Sequence, residues 1–137
     1  MNQPVSHKAD GLIRFRIDLS YDGTDYWGWA MQPGIPSVQG ELVTALTTVF
    51  GESKDAFGMR VAGRTDAGVH ATAQVAHIDL SAAQLKRLGR SVGMVGKLND
   101  LLPTDIRIHS VTEAPKGFDA RFSASYRRYR YRISDGA

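Results

Sequence analysis

The sequence of 137 residues contains no cysteine, which excludes disulfides and thiolate chemistry and argues against a zinc site. No apolar run approaches the roughly 20 residues that a membrane-spanning helix needs. The first eleven residues also lack the apolar core of a signal peptide, so we interpret residues 1–11 as a flexible tail. With 42% apolar and 23% charged residues, the sequence predicts one modest globular domain in the cytoplasm.

Positive charge is concentrated near the carboxyl end of the chain. The net charge is +3 and the sequence pI is about 9.4. Five arginines fall within twelve residues and alternate with aromatic residues: Arg121, Phe122, Tyr126, Arg127, Arg128, Tyr129, Arg130, Tyr131 and Arg132. Arginine and aromatic side chains together suit phosphates and stacked bases. A strand with one charged, solvated face explains the pattern equally well.

Hydrophobic periodicity predicts five strands and two helices. Alternating apolar residues indicate strands over residues 12–20, 57–61, 74–80, 106–111 and 125–133. A helical repeat follows Ser37, a suitable N-cap, and ends at Gly51. A second helix begins at a capping box of Ser81 and Gln84, and its apolar stripe comprises Leu85, Leu88, Val92 and Val95.

This order of elements matches the ferredoxin-like βαββαβ arrangement plus one extra strand. It predicts an α+β fold, in which two helices cover one face of an antiparallel sheet and leave the other face free for a partner. Because the last strand is followed by the turn-like residues 134–137, we expect residues 12–137 to be the first domain of a longer protein.

An unusually long loop separates the second and third strands. It runs over about ten residues, 62–71, where a hairpin normally needs two to five. Asp66 in this loop can form a wide turn through an Asx hydrogen bond. The loop has too few ligands for a metal, and no helix follows it to cradle a phosphate. The other interpretation is chemical: Asp66, kept ionised by nearby Arg64, can act as a nucleophile or a base without a cofactor.

The motif GRTDAGVHA, residues 63–71, resembles the signature of the tRNA pseudouridine synthase A family. The segments YDGTDYWGW (21–29), SVQGEL (37–42), LNDLLPTDIRI (98–108), FDARFSA (118–124) and RRYRYRI (127–133) resemble the family in the same order. Ala30 departs from the family, which usually has glutamine after the tryptophan. The resemblance covers about the amino-terminal half of such an enzyme, whose second half completes the catalytic cleft.

The resemblance implies isomerisation of uridine to pseudouridine on the 3′ side of the anticodon arm, at tRNA positions 38–40. It makes Asp66 the catalytic aspartate, which attacks the sugar, attacks the base or takes a sugar proton. Arg64 would pair with Asp66 or fill the space that the flipped base leaves. Tyr129 would stack on the flipped uracil and assist loss of the C5 proton.

Further positive side chains are candidate contacts of the tRNA backbone, with His70 also a candidate structural residue. These candidates are Arg14, Arg16, His70, Arg121, Arg127, Arg128 and Arg130. The implied partner is tRNA, the implied full-length assembly is a homodimer, and neither a metal nor another cofactor is expected.

Two other functions fit the residues. A non-catalytic RNA-binding module would use the same sheet and arginines, with Asp66 as a turn residue. A small hydrolase of phosphate esters or acyl phosphates would use Asp66 but would ignore tRNA. The enzyme interpretation is the only one that combines RNA binding with a chemical role for Asp66.

Overall fold

The computed structural model describes residues 11–53, 55–88, 93–115, 117–122 and 128–130. Residues 1–10 of the expected tail lie outside the described part. So does most of the predicted strand 125–133. Within the described residues, no helix has the length and apolar character needed to cross a bilayer.

Eight helices and strands make up the described part of the chain. In chain order they are β1 Ile13–Tyr21, α1 Val38–Phe50, β2 Arg60–Val61, β3 His70–Leu80, α2 Ala82–Leu88, α3 Met94–Leu101, β4 Ile106–Glu113 and β5 Arg128–Arg130. All strand pairs are antiparallel, and the main order is β2-β3-β1-β4. β5 pairs with β3. The α+β fold expected from the sequence is thereby confirmed.

The main core lies between the helices and one face of the sheet. Alternate residues of the two central strands point into it, such as Ile17 and Leu19 of β1 and Ile78 and Leu80 of β3, none of them exposed. The helices contribute further fully buried or nearly fully buried side chains: Leu42, Leu46, Phe50 and Leu98. These helices therefore cover a single face, as the sequence predicts.

The opposite face is not wholly free. Phe118 and Ala120, from the segment after β4, pack there against Val75 and Ala62. Because this segment covers the sheet, β3 has seven consecutive buried residues from Gln74 to Leu80. The expectation of an open second face is corrected for this part of the sheet.

Two predicted elements differ in detail. Of the predicted strand 57–61, only Arg60–Val61 forms a strand. Residues 56–58 form a 3-10 turn instead, with positive φ at Ala56 and Phe57. The predicted second helix is two helices, α2 and α3, and residues 89–92 between them lie outside the described part. The capping box is present: Gln84 Oε1 accepts from Ser81 N–H at 2.7 Å, and Ser81 Oγ accepts from Gln84 N–H at 3.1 Å.

Candidate active-site loop

The loop of residues 62–69 joins β2 to β3, and a neighbouring loop holds its backbone. Trp29 N–H donates to the carbonyl oxygen of Thr65 at 3.0 Å. Gly68 N–H donates to the carbonyl oxygen of Tyr26 at 3.2 Å. These two hydrogen bonds fix the backbone on both sides of Asp66 relative to residues 22–29.

Side chains beneath the loop add a buried polar network. The Thr65 hydroxyl shares a 2.7 Å hydrogen bond with Tyr21 Oη. Gln74, fully buried, donates from Nε2 to the carbonyl oxygen of Gly63 at 2.9 Å and to Tyr21 Oη at 3.3 Å. Since buried polar groups need partners, this network favours one position of the loop.

Two glycines allow the loops to approach closely. A Cβ atom on Gly23 would lie 2.0 Å from the carbonyl oxygen of Val69. On Gly28, whose φ is +100°, it would lie 2.6 Å from the carbonyl oxygen of Thr65. Both distances are far below ordinary contact, so the glycines in YDGTDYWGW are required by packing against the Asp66 loop.

Asp66 itself is exposed, and its main chain forms the turn. Its carbonyl oxygen accepts a hydrogen bond from Val69 N–H at 3.1 Å, with Gly68 at a φ of +78°. Among the described residues, the Asp66 carboxylate forms neither a hydrogen bond nor an ion pair, including with Arg64. The Asx-turn interpretation of Asp66 is therefore not observed. The carboxylate is left facing solvent from a fixed backbone.

Arg64 lines a cavity of about 330 Å³ with two other arginines, Arg60 and Arg121. Arg60 is exposed and donates from Nη1 to the carbonyl oxygen of Met59 at 3.0 Å. Arg121 forms a bidentate pair with Asp119, with a shortest distance of 2.8 Å, which lowers the pKa of the Asp119 carboxyl to about 2 and raises that of Arg121. Such a positive cavity suits an anion such as a phosphate.

Similar sequences fall in one group of proteins. A protein from Leifsonia xyli named tRNA pseudouridine synthase A is 49% identical over 93% of the chain and 48% of the relative. A protein of the same name from Streptomyces avermitilis is 51% identical over 91% of the chain and 44% of the relative. Another from Mycobacterium leprae is 46% identical over 98% of the chain and 48% of the relative. No family model matches the chain.

The chain is therefore similar, over more than nine tenths of its length, to proteins named tRNA pseudouridine synthase A. It spans about half the length of the curated relatives it matches.

The tyrosine that this family resemblance singles out lies near the loop along the sheet. Tyr129 in β5 pairs with Ala71 in β3, and Arg130 pairs with His70. Asp66 precedes Ala71 by five residues. The backbones that carry Asp66 and Tyr129 are therefore joined through the start of β3. Arg127 lies outside the described residues, and only the backbones of Arg128 and Arg130 are described.

His70 is held by the loop that precedes α1. Its Nδ1 atom accepts a hydrogen bond from Gly23 N–H at 2.8 Å and lies 3.0 Å from the Asp22 carboxylate. This contact supports the structural role considered for His70.

Arg14 and Arg16 were both predicted as candidate contacts of the tRNA backbone, but only Arg16 is accessible at the surface. Arg14 is buried; it donates to both carboxylate oxygens of Asp79, at 2.8 and 3.1 Å, and to the carbonyl oxygen of Phe118 at 3.0 Å. Its guanidinium is thus enclosed rather than available to RNA. Arg16 is partly exposed, pairs with Asp18 at 2.8 Å and lies 5.8 Å from the Phe118 ring centre. Of the two, only Arg16 can reach a ligand at the surface.

His77 is buried beside Arg14 on the same side of the sheet. Burial, followed by the charge of Arg14, lowers its pKa to about 4. Its Nδ1 atom accepts from Ala120 N–H at 3.0 Å, which fits a neutral ring. His77 therefore ties the segment after β4 to the sheet. It is a structural residue that the sequence pattern placed only on a strand.

Metal binding finds no support in the described residues, where no cluster of three or more His, Asp or Glu side chains is arranged to hold an ion.

Arg60 is the cavity residue that sequence analysis missed. Its signal was available: it lies between Met59 and Val61, which are both buried, so alternation in β2 turns Arg60 to the outside.

Proposed function

We propose that this chain forms part of a tRNA pseudouridine synthase and that Asp66 is its catalytic residue. The observation that carries the proposal is the Asp66 carboxylate, exposed and without a partner among the described residues, on a loop whose backbone is fixed on both sides. An aspartate in that position is free to meet a substrate. The similarity to proteins named tRNA pseudouridine synthase A suggests the reaction class.

The reaction breaks the bond between ribose C1′ and uracil N1 and forms a bond between C1′ and C5. The C5 proton is lost and N1 gains a proton, so the change is an isomerisation with no net oxidation. A carboxylate suffices as nucleophile or base for these steps. We propose Asp66 for the group that attacks or takes the proton, and Tyr129 for the aromatic side chain that stacks on the uracil.

Base flipping costs a few kcal/mol in unstacking and unpairing, and we propose that Arg64 offsets this cost. Its side chain is exposed two residues before Asp66 and is not paired with that aspartate in the described structure. We therefore favour the role in which Arg64 fills the space left by the base. Arg60 and Arg121, in the same cavity, would bind a neighbouring phosphate.

The substrate uridines on the 3′ side of the anticodon arm, the homodimer and a cytoplasmic location remain part of this proposal, supported by the resemblance alone. Arg128 and Arg130 stay candidates for tRNA contact on the same ground. The basic net charge of +3 is consistent with a polyanionic partner.

Comparing tRNA binding with pseudouridine formation for wild type and Asp66→Asn tests the function. Nucleoside analysis of the treated tRNA would measure the pseudouridine formed. The assay would use both this chain and the chain extended through any continuing reading frame. We expect Asp66→Asn to bind tRNA as well as wild type and to form no pseudouridine. Binding without product by every version would favour the RNA-binding module. Cleavage of phosphate esters without tRNA binding would favour the hydrolase.

A further inference from the structure

The chain contains two tryptophans, two residues apart, with opposite environments. Trp29 is 2% exposed and packs near Tyr21, with ring centres 6.2 Å apart. Trp27 is 66% exposed. Tryptophan is enriched at binding interfaces, so the exposed Trp27 is a candidate for contact with a ligand.

The backbone that carries Trp27 is held in place on both sides. Trp27 N–H donates to the carbonyl oxygen of Pro36 at 2.9 Å. The residue before it, Tyr26, accepts from Gly68 N–H, and the residue after it, Gly28, lies against the carbonyl oxygen of Thr65. The exposure of Trp27 is therefore set by the fold.

This exposed ring lies next to the candidate catalytic loop. Trp27 lines a shallow cavity together with Tyr26, Ala67 and Gly68. Ala67 directly follows Asp66. A nucleotide beside the one held at Asp66 would meet the indole.

The charges nearby distinguish an RNA from a protein as the occupant. Arg64 and Asp66 are exposed on the adjoining loop and are not paired with each other, and the exposed Asp25 lines the same cavity as Trp27. An apolar protein surface over Trp27 would remove these charges from water without offering them partners, which is costly. A single RNA base covers the indole alone and leaves these charges in water.

We propose that Trp27 stacks on a base of the bound RNA next to the target uridine, as a positioning residue for the proposed reaction. The inference rests on the proposed function, since it requires RNA at the Asp66 loop. Stacking makes no use of base edges, so Trp27 holds the substrate without selecting the sequence.

Binding of a hairpin RNA with an anticodon-arm sequence tests this role. We expect Trp27→Ala to weaken binding about tenfold and Trp27→Phe to restore most of it. Met31→Ala, which changes a 47% exposed side chain of the same loop, is the matched control and should leave affinity unchanged. The salt dependence should stay the same in Trp27→Ala, whereas Arg60→Ala, which removes a proposed phosphate contact, should reduce the log–log slope by about one unit.

An abasic scan of the same RNA identifies the stacked base. Removing one base should weaken binding to wild type and have no further effect on Trp27→Ala, because the same contact is already lost. Trp27 fluorescence should also be quenched by RNA in wild type and not in Trp27→Phe, where the buried Trp29 is the only tryptophan left.

The outcomes separate the two proposals. RNA binding that is unaffected by Trp27→Ala would overturn the stacking role and leave the synthase proposal in place. A change in Trp27 fluorescence that grows with protein concentration and needs no RNA would mean that a protein covers Trp27. That result would also overturn the stacking role. Failure of both the chain and the extended protein to bind the hairpin, even at low salt, would overturn both.

Discussion

Arg14 and His77 show how charge and burial act together at single residues. Both belong to the sheet face that Phe118 and Ala120 cover, and both hold a backbone group of that covering segment. Arg14 looked like a solvated strand arginine because alternation separates two faces without showing what covers each one. The covering segment follows β4, about a hundred residues later, and local pattern cannot reveal that contact.

Replacing Arg14 by methionine should be strongly destabilising. The change leaves the Asp79 carboxylate buried without its partner, which typically costs about 3–5 kcal/mol in the free energy of unfolding. Urea unfolding measures the effect. Arg16→Met, which breaks a partly exposed pair, should cost less than about 1 kcal/mol. Equal losses in the two variants would contradict the buried role of Arg14.

His77 predicts a loss of stability in mild acid. Its pKa is about 4 in the folded protein and about 6.5 in the unfolded chain. Between these values the unfolded chain binds a proton that the folded protein does not, so stability falls as pH falls from 6.5 to 4, by up to about 3 kcal/mol. Urea unfolding at several pH values should show this fall in wild type.

The matched variants for this prediction are His77→Asn and His109→Asn. The first keeps a hydrogen-bond acceptor but cannot titrate, so its stability should change much less over this range. The second alters an exposed histidine and should follow wild type. A fall in His77→Asn as large as in wild type would show that other groups cause the pH dependence.

At the level of elements, the strands and helices follow from periodicity where the pattern is long. β1, α1 and β4 lie close to where the sequence predicts them. The predicted strand 57–61 was wrong over residues 57–59, because Phe57 is buried by a 3-10 turn that ends at Gly58 and Met59 is buried directly after it. Gly58 there lies close to the Asp79 carboxylate, which a Cβ atom would approach to 3.1 Å. That tertiary contact overrides the alternation.

Because Gly23 packs against the backbone of Val69, we predict that Gly23→Ala displaces the loop that carries Asp66. Because the new Cβ would collide with the backbone of Val69, the loop must shift, and we expect both lower stability and at least tenfold lower pseudouridine formation by the extended protein. Thermal unfolding and product analysis measure the two effects. Gly96→Ala in α3 meets nothing within 4 Å and should raise stability by about 0.5–1 kcal/mol. Full activity in Gly23→Ala would contradict the close-packed loops.

For the whole molecule, the sequence predicted the fold class and the similarity to proteins named tRNA pseudouridine synthase A, because long periodic segments and a nine-residue motif carry that information. The free state of the Asp66 carboxylate and the gathering of Arg60, Arg64 and Arg121 around one cavity could not be predicted. Both depend on how residues 22–29 and 117–122 pack against the sheet. We propose above all that this packing presents Asp66 to a uridine.

Tritium release from tRNA labelled at uridine C5 tests that claim most directly, since formation of pseudouridine must expel the C5 proton. The assay would use the chain, the chain extended through any continuing reading frame, and Asp66→Asn made in each. We expect tritium release by the extended protein and none by its Asp66→Asn variant. Release that persists in the variant, or no release from a folded extended protein that binds tRNA, would contradict it.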